Sequence, residues 1–230
     1  MHFCHSSEIW RSFPELVASA LFVQGISKGA SVARQIAAFG TIAESRLAAG
    51  SEGQLPEIAA WRSAFSRMGL KPTQYRCASE ALLRRFRKEK HLPTIHPLVD
   101  LCNAISLAFA VPVAAFDVAK IAEYLEVRHA TGAESYLAFS GETETPVPGE
   151  VIFADACGRA HARRWTNRQS AFSAVGDDTA NVLIVAEAMH DSASSDVPRL
   201  TSAIAVELGA IWPVVVKTRI LSRSAPRFEF

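Results

Sequence analysis

The densest set of reactive side chains lies in Arg163-Arg164-Trp165-Thr166-Asn167-Arg168-Gln169-Ser170. Phosphate and sugar oxygens accept hydrogen bonds from arginine, amide and hydroxyl groups, and an aromatic ring can stack on a base. A run of these types therefore suits phosphate, ribose or base binding. A solvated hairpin tip uses the same residues, and the run alone does not separate the two readings. A second signal is Glu187, a carboxylate inside the apolar run Asn181 to Met189, NVLIVAEAM. Burying a charge is costly unless it is paired. Glu187 therefore meets a cationic or hydroxyl group of a ligand or pairs with a structural Arg, unless the strand has already reached the surface there. The third signal is Arg84, Arg85, Arg87 and Lys88, followed by Lys90. This set fits an RNA backbone, although a solvated helix face is its commoner use. Neither His2 with His5 nor His91 with His96 has the spacing of a metal site. His190-Asp191 is an acid–base pair or a strand end. No metal site and no cofactor is expected. There is no phosphate-binding glycine loop, GxSxG or paired-carboxylate signature.

These groups need elements to hold them. The most apolar long stretch, His91 to Asp117, is broken by Asp100, Asn103 and Asp117. Leu98, Leu101, Cys102, Ile105 and Phe109 recur at helical spacing, with Pro97 in the first turn and Pro112 just past the end. Asn103 falls off that face with Val99 and Ser106, so its amide must find partners in the protein or in a ligand. Upstream, Glu15 to Gly25 reads as a strand, and Ser31 to Ala49 and Pro56 to Arg67 read as helices. Ser79 is expected to cap a helix over Glu80 to Lys88. Downstream, Tyr124 to His129 and Glu150 to Ala154 read as strands. Ala160 to Trp165 is expected to pair with the latter across a turn containing Gly158. Asn181 to Met189 reads as a central strand buried on both faces. A helix is expected from Asp196 and Pro198 to Leu208, stopped by Gly209, then a strand over Trp212 to Leu221. Helices gather early and strands late, which predicts an α+β fold, a mixed sheet with helices packed against it.

With 230 residues and 49% hydrophobic content, the chain can build a sizeable core and is not expected to be disordered. A formal net charge of +1 does not by itself call for nucleic acid or a membrane. Cys4, Cys77, Cys102 and Cys157 are far apart and lack CxxC spacing, as expected of reduced thiols in a cytoplasmic protein. Met1 to Trp10 has no basic start followed by an apolar run, so no signal peptide is expected. No stretch is expected to span a membrane.

Taken in order, several blocks resemble the B3/4 domain. They are Ser79-Glu80-Ala81-Leu82-Leu83-Arg84-Arg85, Pro97 to Asn103, Pro112 to Asp117, Gly149-Glu150-Val151, Arg164 to Ser170 and Asp178-Thr179. That domain sits in the bacterial phenylalanyl-tRNA synthetase β subunit, where it hydrolyses wrongly tyrosylated tRNA, and stand-alone versions also exist. The resemblance runs from about Pro14 to Leu221. It implies a single domain over residues 1–230, with a family core of about 79–190, and an editing pocket between the Asn103 helix and the Asn167–Ser170 loop. It also implies a mischarged tRNA as partner, met at its acceptor end; a monomer is compatible with the sequence.

Carried over residue by residue, Asn103 matches a pocket asparagine, and Cys102 stands where the synthetase commonly has Thr. Ala114 stands where it has a pocket His, and Gln169-Ser170 replaces Gly-Gly. Val185 stands where it has the Glu that reads the tyrosine hydroxyl, and Glu187 lies two positions later on the same strand face. A site that loses its hydroxyl partner loses orders of magnitude of discrimination. The substitutions therefore point away from tyrosine. A carboxylate at Glu187 suits a guanidinium-like group, and some stand-alone members resemble canavanyl-tRNA deacylases. The resemblance thus implies a trans-editing hydrolase for canavanyl-tRNA(Arg). Asn103, Asn167 and Gln169 are then the candidates for the ester. Arg164, Arg168, Ser170 and Trp165 are the candidates for the terminal nucleotide, and Arg84, Arg85, Arg87 and Lys88 for the tRNA backbone. The alternatives are a non-catalytic tRNA-binding module, a binder of small metabolites, or editing of another mischarged tRNA such as Tyr-tRNA(Phe).

Overall fold

The chain begins with strand β1 (His2–His5), helix α1 (Ser7–Ser12) and strand β2 (Val17–Gln24) in the computed structural model, which describes residues 1–230. Helices α2 (Ala33–Ala48), α3 (Pro56–Arg67), α4 (Ala78–Glu89) and α5 (Pro97–Phe109) follow. Then come β3 (Val113–Asp117), β4 (Tyr124–His129), β5 (Tyr136–Leu137), β6 (Thr143–Glu144), β7 (Val151–Ala154), β8 (Ala160–Arg163), β9 (Arg168–Gln169) and β10 (Asn181–Ala188). Helix α6 (Ala193–Ile211) and strands β11 (Val215–Leu221) and β12 (Arg227–Glu229) complete the chain. No helix is long and apolar enough to cross a membrane.

The fold is α+β, with two principal sheets. The six-stranded sheet, in the order β12-β1-β4-β7-β8-β9, is mixed: β1 runs parallel to β4 and the other pairs are antiparallel. The four-stranded sheet, β11-β2-β10-β3, is antiparallel, and β10 is an inner strand, as its nearly all-apolar run predicts. Strand alternation divides its side chains. Val182, Ile184 and Ala186 join the α5 and α6 core of Leu98, Leu101, Ile105, Leu200 and Ile204. Leu183 and Val185 face the opposite way, toward Phe153 and Ala162 of the six-stranded sheet and Trp61 of α3. Phe116 of β3 meets Phe153 of β7 across the two sheets, their ring centroids 5.4 Å apart.

Several boundaries differ from the sequence reading. Ser79 is not the cap of α4. The helix starts at Ala78, whose N–H donates to the carbonyl of Thr166, and Ser79 is buried with its hydroxyl beside the Cys77 thiol. The last helix starts at Ala193 rather than at Asp196 and passes through Gly209 to Ile211. The Trp212 N–H still donates to the Leu208 carbonyl at 2.9 Å, so helical bonding runs past the glycine. The β8 strand stops at Arg163 because Arg164 and Trp165 take left-handed backbone angles (φ 47° and 56°). Strands β1 and β3 and helix α1 were not foreseen as separate elements.

Candidate functional site

Strand β3 is the wall between two cavities. Its alternation sends Ala114 to one side and Ala115 to the other, while Val113 borders both. On the sheet–sheet side an inner cavity of about 70 Å³ is lined by Ala114, Trp165, Asn167, Arg168, Val185 and Glu187, among others. One water needs roughly 10–15 Å³ on this measure, so the space admits a small polar group. On the α5 side an outer cavity of about 410 Å³ is lined by Val99, Cys102, Asn103, Phe139, Val175 and others. Gln169 borders both and donates its Nε2 to the outward carbonyl of Ala115 at 2.7 Å. The single pocket expected between the Asn103 helix and the Asn167–Ser170 loop is thus divided by the β3 edge.

Glu187 is buried, and no arginine pairs with it. Its Oε1 lies 2.6 Å from His5 Nε2 and accepts from Trp165 Nε1 at 2.9 Å, while its main-chain carbonyl accepts from Trp61 Nε1 at 3.3 Å. Its Oε2 accepts no hydrogen bond from the protein, and the residue lines the inner cavity. One carboxylate oxygen is therefore fixed by two separate segments, a third holds the backbone, and the other carboxylate oxygen is free for a donor. His5 and Trp61 were not foreseen. His5 lies on the first strand, far from Glu187 in sequence, and no spacing rule connects them.

The loop from β8 to β9 is held by a buried ion pair. Glu150 receives Arg163 through Nε and Nη2, each at 2.8 Å, and also accepts the Arg164 N–H at 2.9 Å. Arg163 bonds Glu144 as well. Burial alone raises the Glu150 carboxyl, but the Arg163 guanidinium outweighs it and holds the group below its ordinary value. The clasp supports the two left-handed residues, which cost roughly 1–2 kcal/mol each outside glycine. The turn drives the Trp165 indole into the core, fully buried, where it braces Glu187 at the wall of the inner cavity.

The remaining candidates divide. Asn167 donates Nδ2 to the carbonyl of Arg76 at 2.7 Å and keeps its second N–H. Asn103 is half-buried at the outer cavity and makes no side-chain hydrogen bond to the protein. Arg168 borders the inner cavity and pairs with Glu144 at 3.1 Å. Arg164 lines neither cavity; its guanidinium lies over Tyr75, 4.8 Å from the ring centroid. Ser170 is buried, donating to the Leu137 carbonyl and accepting from the Phe172 N–H, so it fastens the loop rather than facing a cavity. The Cys102 thiol is pushed up to about 12 by burial, so it stays protonated at neutral pH. On α4, Arg84 and Arg87 share Glu52 at 3.0 and 2.9 Å, and Arg85 pairs with Glu89 at 2.8 Å. Lys88 alone of the four has no carboxylate partner, and none of the four lines either cavity.

Comparison with solved structures finds similarity to a crystal structure of an N-terminal fragment of the phenylalanyl-tRNA synthetase beta subunit from Pyrococcus horikoshii, at 12% sequence identity and a TM-score of 0.47. The similarity covers 93% of this chain and 49% of that one, so the chain spans about half the length of the fragment. No curated protein matches the sequence. The family profile described as the B3/4 domain matches residues 60–205, which include most of α3, all of α4 and α5, the β3 wall, the β8–β9 loop and Glu187. By that match the chain belongs to the B3/4 domain family.

Proposed function

We propose that the 230 residues act as one unit, a trans-editing deacylase that hydrolyses the ester of a mischarged tRNA, with canavanyl-tRNA for arginine as its substrate. The observation that carries the reading is Glu187: one oxygen fixed by His5 and Trp165, the other unpartnered at the inner cavity. A free carboxylate oxygen in a confined site selects a donor-rich cationic group. Ala114 and Val185 beside it offer no group to read a phenolic hydroxyl.

The guanidinium-like end of the amino-acid side chain enters the inner cavity, and the ribose and adenine of the acceptor end occupy the outer one. Their junction is Gln169, with Asn103 across the outer cavity. Water adds to the ester carbonyl carbon, and an amide N–H of Asn103, Gln169 or Asn167 bonds the oxyanion. One such donor is worth roughly a hundred- to a thousand-fold in rate. The carbon–oxygen bond then breaks and the ribose oxygen takes the proton, releasing the amino acid and tRNA. The ester is already activated, so no strong nucleophile is needed, and the protonated Cys102 does not supply one. Arg168, which borders the inner cavity beside Gln169, is the candidate contact to the terminal nucleotide. Arg164 and Lys88 are the further candidate contacts to the tRNA backbone. Such a substrate is met in the cytoplasm.

The test is single-turnover release from canavanyl-, arginyl- and tyrosyl-tRNA by the purified protein. Canavanine is expected to be released fastest. Faster release of tyrosine overturns the substrate, and tRNA binding with no cleavage of any ester overturns the enzyme.

A further inference from the structure

The inner cavity does not exhaust the buried acidic chemistry of the fold. Glu57 in the first turn of α3, His190 just past the end of β10 and Asp196 in the first turn of α6 bring one potential ligand atom each within 4.8 Å of one another. Glu57 and His190 are only 7% and 5% exposed. Arg46 Nη2 satisfies Glu57 Oε1 at 2.6 Å, but Oε2 is buried with no partner. His190 Nε2 lies 3.0 Å from Asp196 Oδ2, and its Nδ1 is buried without a partner. An unmet carboxylate oxygen in the interior is costly, and a cation is one of the few groups that relieves it.

We propose that Glu57, His190 and Asp196 bind one divalent transition-metal ion, Zn²⁺ or Mn²⁺. One imidazole nitrogen with two carboxylate oxygens is a ligand set both ions accept, and no thiol belongs to the group. The surrounding groups orient the ligands but leave Glu57 Oε2 and His190 Nδ1 without a partner. Arg46 holds Glu57 by its other oxygen, and the Ser192 hydroxyl donates to Asp196 Oδ2 at 2.6 Å. Arg199 approaches only Asp196 Oδ1, at 3.4 Å, from an exposed position. The bound ion ties the first turns of α3 and α6 to the end of β10. The proposal does not depend on the deacylase reading.

Metal-free protein of residues 1–230 is titrated with Zn²⁺ or with Mn²⁺ by calorimetry, and bound metal is counted after gel filtration. One ion per chain is expected for at least one of the two, with a melting temperature that rises with metal concentration. Glu57→Gln and His190→Gln should each weaken binding at least tenfold, whereas Asp191→Asn, an exposed neighbour, should not. Absence of stoichiometric binding of both ions to the wild-type protein overturns the site, as does unchanged affinity in both ligand variants. Should those variants fail to fold, the visible spectrum of the Co²⁺-loaded wild-type protein decides. Nitrogen and oxygen ligation is expected, and a thiolate charge-transfer band would put the ion on a cysteine and refute the assignment.

Discussion

At the scale of single residues the consequential contact is between His5 and Glu187. A carboxylate with one anchored and one free oxygen is preorganised, because its orientation is set before any ligand arrives. Glu187→Gln keeps an oxygen for the Trp165 N–H but removes the charge that, in the proposed function, selects a cation. It should lower kcat/KM for canavanyl-tRNA about 10- to 100-fold, a loss of roughly 1.4–2.8 kcal/mol of transition-state binding. His5→Ala should cause a smaller loss, near tenfold, mostly in KM. His5→Gln, whose amide nitrogen can stand in for Nε2, should restore most of it. Steady-state kinetics on the three variants check this, and wild-type kinetics in Glu187→Gln would remove Glu187 from substrate recognition. Part of this was legible: a lone Glu in NVLIVAEAM signals a buried charge in need of a partner. The identity of the partner was not, because His5 meets Glu187 only when β1 and β10 come together in different sheets.

Among elements, the β8–β9 loop depends most on a single interaction. Its left-handed Arg164 and Trp165 persist because Glu150 holds the preceding arginine and the Arg164 N–H together. Glu150→Gln leaves the buried Arg163 with Glu144 as its remaining carboxylate partner. Stability should fall by roughly 3 kcal/mol, the low end for breaking a buried pair, because Glu144 stays. Glu142→Gln, on an exposed side chain nearby, should change stability by less than about 0.5 kcal/mol. Urea denaturation of both variants measures the contrast, and equal midpoints would show that the clasp does not hold the loop. The sequence marks this loop by its density of arginine and amide groups. It does not reveal that Arg163 and Ser170 turn inward while Trp165, Asn167, Arg168 and Gln169 line a cavity. That division follows from the two left-handed residues, which break the strand alternation a reader would extrapolate.

The whole molecule carries several ionisable groups whose folded values lie below their ordinary ones, and together they shape its acid response. Burial pushes His96 and His161 down, the latter against its Asp155 partner. Below the ordinary value near 6.5 the unfolded chain takes up protons that these rings refuse, so stability falls as pH drops through that range. The carboxyls act lower. Burial raises Glu134, but the Thr131 N–H and Arg128 outweigh it and bring the group from 4.5 to about 2. Asp155 and Glu150 are depressed in the same sense, with hydrogen bonds outweighing burial. A depressed carboxyl contributes stability that is fully present above its unfolded value and lost as pH falls through its folded value. The melting temperature should therefore be flat from pH 8 to 7, decline below about 6.5, and drop more steeply from about 4.5 toward 2. Glu134→Gln should flatten the lower limb and leave the upper one unchanged, as measured by thermal melts across pH.

Local sequence alone determined the class of fold and most of its elements. Period-2 and period-3.6 patterns, proline at a helix start and turn residues act within a few positions, so α3, α5, β4 and the buried β10 could be read directly. The order of short blocks also identified the family. Only the tertiary structure decided how those elements divide the site: two cavities on either side of β3, Ser170 and Trp165 in the interior, and the α4 arginines paired with Glu52 and Glu89. It also brought together Glu57, His190 and Asp196, a cluster that no histidine spacing foretells. The physical reason is common to all of these. Pairing of buried charges and the direction of each side chain depend on which distant segments close over them, and a linear pattern carries no record of that closure.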